Sequence, residues 1–163
     1  MNDGKKQSGH ESLQVCMEVS TTGFVRVIRS LLGCGHKVKF RVKGKSMWPA
    51  LKDGRDQVVL GLAKEIAKGD LVLAQVQPDQ YVLHRVINKE GELLILMGDG
   101  NLKATERCMC ADVVGKVVVL IRKGRLIRAD GLPFQIYSSI WMWLNPFKRY
   151  LLKVYRLMKG KNG

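Results

Sequence analysis

A serine becomes a nucleophile only where a base can take its proton, because its hydroxyl is scarcely ionised near neutral pH. One serine in this chain has a suitable setting. Gly44-Lys45-Ser46-Met47-Trp48-Pro49-Ala50-Leu51, followed by Asp53-Gly54 and Asp56, joins one strand-like run (37–43) to another (57–62). Between a glycine and a nearby proline, Ser46 sits on a stiff turn that can present its hydroxyl. The chain has three histidines to serve as base. His10 lies in a polar N-terminal stretch and His36 in the loop before the first run. His84 lies inside the run YVLHRVI (81–87).

Alternation along that run puts Tyr81, Leu83, Arg85 and Ile87 on one face and Val82, His84 and Val86 on the other. A half-buried imidazole among valines can act as a neutral general base; a histidine hydrogen-bonded within a sheet is the plainer reading. A third element, Met97-Gly98-Asp99-Gly100-Asn101, follows the run ELLILM (92–97). Those residue types suit a turn. An aspartate at a strand end can also hold an imidazole tautomer and stabilise the imidazolium that forms. No metal chemistry is expected. Of the four cysteines (Cys16, Cys34, Cys108, Cys110), the one close pair has a single residue between its members, and no histidine follows it. That spacing does not suit a zinc knuckle, and the count does not suit a disulfide scaffold. No cofactor is implied.

The elements that must position these groups are legible as texture. Residues 1–21 are a polar tail. From Thr22 to Leu32, Phe24, Val25, Ile28, Leu31 and Leu32 recur at helical spacing, and Gly33 and Gly35 supply a stop. Seven short runs rich in β-branched and aliphatic residues follow between Lys37 and Ala129, with hairpin tips expected at Gly91 and Lys123-Gly124. Residues 22–130 therefore predict a mainly β fold, a closed or folded-over antiparallel sheet with a leading helix. Residues 131–163 form a separate zone, with seven of the eleven aromatic residues, six Lys or Arg and no acid. The spacing there predicts an amphipathic helical tail.

Taken in order, Ser46-Met47-Trp48-Pro49, Leu51 to Asp56, Lys68-Gly69-Asp70, His84-Arg85-Val86 and Gly98-Asp99-Gly100-Asn101 resemble the type I signal peptidase family and the related self-cleaving repressor peptidases. The match in order and spacing runs from Lys43 to Val118, about half the chain. The resemblance implies the same folded-over β-domain and a serine endopeptidase, with Ser46 as nucleophile. His84 stands where most bacterial members place a lysine base, which is the pattern of the endoplasmic-reticulum, archaeal and sporulation-type branch. Asp99 matches the family's acidic block, which here carries the extra Gly100; the second acidic residue downstream is at best Glu106. Either Asp99 or Glu106 would orient His84. Gly44 stands where some bacterial members have an oxyanion-stabilising serine, so that task would fall more to the Ser46 backbone N–H. The substrate would be a protein or peptide bound as an added extended strand, with Met47 and Pro49 lining its groove. The family's N-terminal membrane anchor has no counterpart here.

Composition bounds the rest. A formal net charge of +14 attracts acidic partners. It divides unevenly: +6 belongs to residues 131–163, and the first 22 residues carry −1. No signal peptide and no uncharged apolar run of 18 or more residues is present. Trp141, Trp143 and Phe147 with Lys148 and Arg149 suit peripheral contact with an anionic membrane; packing on the β-domain is the competing expectation. The basic residues form no nucleic-acid recognition motif. The expected location is peripheral on a membrane or cytoplasmic. Two alternatives to cleavage of a leader stand beside it: a cytosolic self-processing or leader peptidase, and a non-catalytic basic module.

Overall fold

Aliphatic runs cut by glycine and aspartate become strands because each buries one or both faces. A computed structural model of the chain describes residues 13–14, 21–101, 104–144, 147 and 150. Strand β1 (Leu13–Gln14) precedes helix α1 (Thr21–Gly33). Strands β2 (Val38–Arg41), β3 (Gln57–Gly61), β4 (Leu71–Gln77), β5 (Gln80–Glu90), β6 (Leu93–Met97) and β7 (Glu106–Met109) come next. A short 3-10 turn (Cys110–Asp112), strands β8 (Val113–Arg122) and β9 (Arg125–Arg128) and helix α2 (Leu132–Trp143) complete the described elements. The strands form one sheet in the order β1-β2-β3-β8-β4-β5-β6-β7, with β9 pairing to β8. Every pairing is antiparallel except β1 with β2. The fold is mainly β, as the sequence predicts.

The sheet folds over, so β4 is buried on both faces. Leu71 and Leu73 enter one core with Val25, Ile28 and Leu32 of α1, Val58 and Leu60 of β3, and Val117 and Leu120 of β8. Val72 and Ala74 face a second core with Val86, Leu94, Leu96 and Cys108. This is why LVLA reads as a continuous apolar run without alternation. β5 serves both cores by strict alternation: Tyr81 and Leu83 pack against the first, Val82 and Val86 against the second. The β8–β9 hairpin closes through Lys123 and Gly124 at φ 49° and 78°, the two left-handed positions that a tight two-residue turn requires.

Two elements escape the sequence pattern. β1 is only two residues long. β7 (ERCM) has no apolar run; it forms because it completes the outer edge of β6, Leu96 opposite Glu106 and Leu94 opposite Cys108, with Cys108 alone turned inward. The zone beginning at 131 is not detached from the domain. Phe134 joins the first core, Tyr137 packs against it, and Ser138 is buried.

Candidate active site

Ser46 lies on the connection between β2 and β3, which is pinned at both ends. Val42 N–H donates to the Asp56 carbonyl and Gly54 N–H to the Val42 carbonyl, both at 3.0 Å. Inside the loop, Gly44 N–H donates to Asp53 Oδ1 at 3.0 Å. Asp56 is fully buried and accepts from Lys52 N–H at 2.8 Å and from both arms of Arg55. Burial alone would raise its pKa; the Arg55 guanidinium and the Lys52 N–H outweigh that and hold it below the ordinary value. Met47, Ala50 and Leu51 anchor the loop from within. Ser46 itself is half-buried. Met47 therefore does not line a groove as expected: the loop depends on its side chain as an anchor in the first core. Pro49, half-buried after a cis Trp48-Pro49 bond, keeps an accessible surface.

His84 is 4% exposed, midway along β5 opposite Val72. Its Nδ1 lies 2.9 Å from Glu106 Oε2. An ionised carboxylate can only accept, so this bond assigns the proton to Nδ1 and leaves the Nε2 lone pair free in the neutral ring. Nε2 faces Gly98. A Cβ on Gly98 would lie 3.0 Å from His84 Nε2, 2.5 Å from the Ser46 carbonyl oxygen and 3.0 Å from Asn101 Nδ2. Glycine is required there by close approach. The next turn locks the same surfaces together, since Gly100 N–H donates to the Ser46 carbonyl at 2.7 Å. The extra Gly100 has the same justification: a Cβ there would meet the Lys45 carbonyl at 2.8 Å and the Trp48 carbonyl at 2.9 Å. Among the described residues, no hydrogen bond joins the Ser46 hydroxyl to the ring, and no acceptor meets the Ser46 N–H.

Asp99 does not orient His84. Its carboxylate forms a two-pronged pair with Arg85, Nε to Oδ1 at 2.8 Å and Nη2 to Oδ2 at 2.7 Å, and both residues are 1% exposed. The reason is the strand period. His84 and Arg85 are consecutive, so they point to opposite faces of β5, and Asp99 sits on the Arg85 side. Arg85 Nη1 also donates to the Gly69 carbonyl at 2.9 Å and to Ser138 Oγ. Its guanidinium carbon stands 5.6 Å from the Phe134 ring centroid and 6.0 Å from that of Tyr137. Arg85 thus ties the Gly98–Asn101 turn to α2, a role the sequence reading missed. An arginine within an apolar strand is itself a signal, since it demands a buried acid. If His84 serves as a general base, replacing Glu106 with Gln should lower turnover about 10²-fold or more, by removing the carboxylate that fixes the ring and would stabilise its cation. Thermal stability should hold, since that carboxylate is partly exposed. Steady-state rates beside a melting curve check this; undiminished turnover rejects the assignment.

Trp141 stacks on Tyr137, centroids 6.1 Å apart and planes 13° apart, so it faces the domain and not outward as expected. Trp143 and Phe147 are exposed. Lys148 and Arg149 lie outside the described residues. Burial pushes the Cys108 thiol up to about 11 and raises that of Cys110, which removes both as thiolate nucleophiles. Among the described residues, no three His, Cys, Asp or Glu side chains gather as metal ligands. The chain matches no protein-family model, and a search of curated proteins gives no match.

Proposed function

We propose that this protein is a serine endopeptidase of the type I signal peptidase kind, which cleaves a leader or signal segment from a polypeptide. The observation that carries the reading is the convergence on Gly98 of the Ser46 backbone and the free Nε2 of a buried, carboxylate-held imidazole. Ser46 Oγ attacks the peptide carbonyl while His84 Nε2 takes its proton. Glu106 stabilises the resulting imidazolium, and the unengaged Ser46 N–H is a donor for the oxyanion. The imidazolium then protonates the departing amine. Water, activated by the same nitrogen, hydrolyses the acyl-enzyme.

Strand topology supports an extended substrate. β5 pairs with β4 over residues 80–85 but with β6 only from Arg85 onward. Among the described residues, β2 carries a neighbour on its outer edge only at Val38 and Lys39. Two stretches of open edge therefore lead to His84 and Ser46, and an added strand has backbone partners beside both. The chain's own Leu13–Gln14 occupies the start of the β2 edge, which supports cleavage of its own N-terminal segment as a second reading. Mass spectrometry tests both. The protein incubated with a leader-bearing polypeptide should yield a new N terminus on that substrate, and self-processing shows as a shortened chain in its absence. Absence of both products overturns the peptidase reading.

The proposal includes peripheral membrane contact. No helix among the described residues is long and apolar enough to cross a membrane. On α2, however, Leu132, Ile136, Ile140 and Trp143 form one stripe, each more than half exposed. The sequence after it has six Lys or Arg and no acid. An apolar stripe followed by cations suits an anionic interface. The double variant Ile136→Ser, Ile140→Ser should lower partitioning into vesicles rich in anionic lipid about tenfold in co-sedimentation. Wild-type protein that stays in the supernatant would exclude the contact.

A further inference from the structure

The tip of the β8–β9 hairpin concentrates cations that the candidate active site does not use. Arg122 and Arg125 stand directly opposite one another in the ladder, with Lys123 in the turn between them. Like charges at such a position repel, so the arrangement costs stability unless something acidic comes to it. Among the described residues, the acid that comes near is Asp56, whose pKa Arg122 helps to lower across the gap without pairing. The adjacent carboxylate, Asp56, is buried and committed to Arg55 and the Lys52 N–H. Among the described residues, no acid pairs with Arg122, Lys123 or Arg125.

These residues, with Arg55, Leu126 and Ile127, line a pocket of about 860 Å³. It adjoins the Ser46 loop, because Arg122 Nη2 reaches the Pro49 carbonyl at 3.5 Å. The contrast with the second basic groove is informative. That groove lies between β8 and α2 and carries Lys37, Lys68, Lys116 and Arg128. There Lys116 pairs with Asp70 at 2.8 Å and Arg128 with Asp130 at 2.7 Å. Its charge is half neutralised from within, whereas at the hairpin tip, among the described residues, Asp56 forms its ion pair with Arg55 and reaches Arg122 through its field alone. Arginine forks match carboxylates in two-point geometry, and the largely exposed Leu126 adds an apolar contact beside them.

We propose that this pocket selects polypeptide substrates carrying acidic side chains close to the bond that is cleaved. The inference rests on the peptidase reading and deepens it by naming the substrate class. The test separates the two. The Ser46→Ala protein is titrated with fluorescein-labelled peptides of alternating Ala and Glu, and with the matching Ala and Gln peptides, by fluorescence anisotropy. The Glu peptide should bind about tenfold tighter. Arg122→Glu with Arg125→Glu should abolish that preference, and Arg122→Gln with Arg125→Gln should reduce it should the reversal impair folding. Lys37→Glu with Lys68→Glu makes the same change in net charge in the other groove and should leave the preference intact. Equal binding of the two peptides, or equal loss in both double variants, overturns the proposal. Cleavage of flank-varied substrates by the chain with Ser46 intact is the second readout. Ser46-dependent cleavage that ignores acidic flanks rejects the pocket and leaves the peptidase standing. Pocket-dependent binding without any cleavage keeps the acidic-peptide site and rejects the peptidase.

Discussion

Ser46→Ala should reduce cleavage about 10³-fold or more while the melting temperature stays within a degree or two of the parent. The hydroxyl makes no hydrogen bond among the described residues, so its removal leaves no partner stranded. The Ser46 carbonyl, which receives the Gly100 N–H, belongs to the backbone and survives the substitution. The fold should not register the loss. His84→Ala should cost a comparable factor, and the double variant little more, because nucleophile and base act as a unit. Single-turnover rates on one leader-bearing polypeptide, beside circular dichroism, make the comparison. A Ser46→Ala protein that cleaves at the parental rate would reject the nucleophile assignment outright.

Asp99→Ala should act in the opposite way, on stability first. It strands the Arg85 guanidinium in a site that is 1% exposed, and removing one partner of such a pair typically costs about 3–5 kcal/mol. For a chain of this size each kcal/mol is worth roughly 2–4 °C, so the midpoint should fall by about 10 °C. The Gly69 carbonyl and Ser138 still receive Nη1, but Nε and Nη2 lose their acceptors. Replacing both members with apolar residues, Arg85→Met with Asp99→Leu, should recover much of the loss, since neither charge then remains to be stranded. The two profiles distinguish the acids. Glu106→Gln changes rate with stability kept, whereas Asp99→Ala changes stability, and rate only as the Gly98–Asn101 turn loosens. Thermal melts of both variants and the double mutant decide this; an Asp99→Ala protein as stable as the parent would contradict it.

How far the sequence carries is clear from particular residues. The runs at 37–43, 57–62, 71–76, 81–87, 92–97, 113–121 and 125–129 are legible because aliphatic residues stand between glycine and aspartate, and each falls on a strand. The helix at 22–32 is legible because Val25, Ile28 and Leu32 share one face. β7 is not, because a strand with one inward residue, Cys108, has no periodicity to detect. That gap hid how Glu106 is delivered to His84. The choice between Asp99 and Glu106 stays open in the sequence because spacing along a chain does not say which side of a turn a carboxylate leaves. Met47 reads as a groove residue because it adjoins Ser46, yet a loop holding a serine half-exposed needs its neighbours for anchorage. On α2, apolar spacing could not separate the inward Tyr137 and Trp141 from the outward Ile140 and Trp143, since all are aromatic or aliphatic.

Two consecutive residues of β5 serve two centres, an imidazole to one side and a guanidinium to the other. Reading frame within the sheet therefore doubles as a check on both centres. A one-residue insertion between Gln80 and Leu83 would bring Leu83 to the place of His84 and His84 to that of Arg85, leaving an aliphatic chain where the proton acceptor stood and Asp99 facing a ring. Such a lineage would keep its hydrophobic strand and lose its chemistry in one step. Sequence drift in the β4–β5 turn should therefore favour substitution over any change in length.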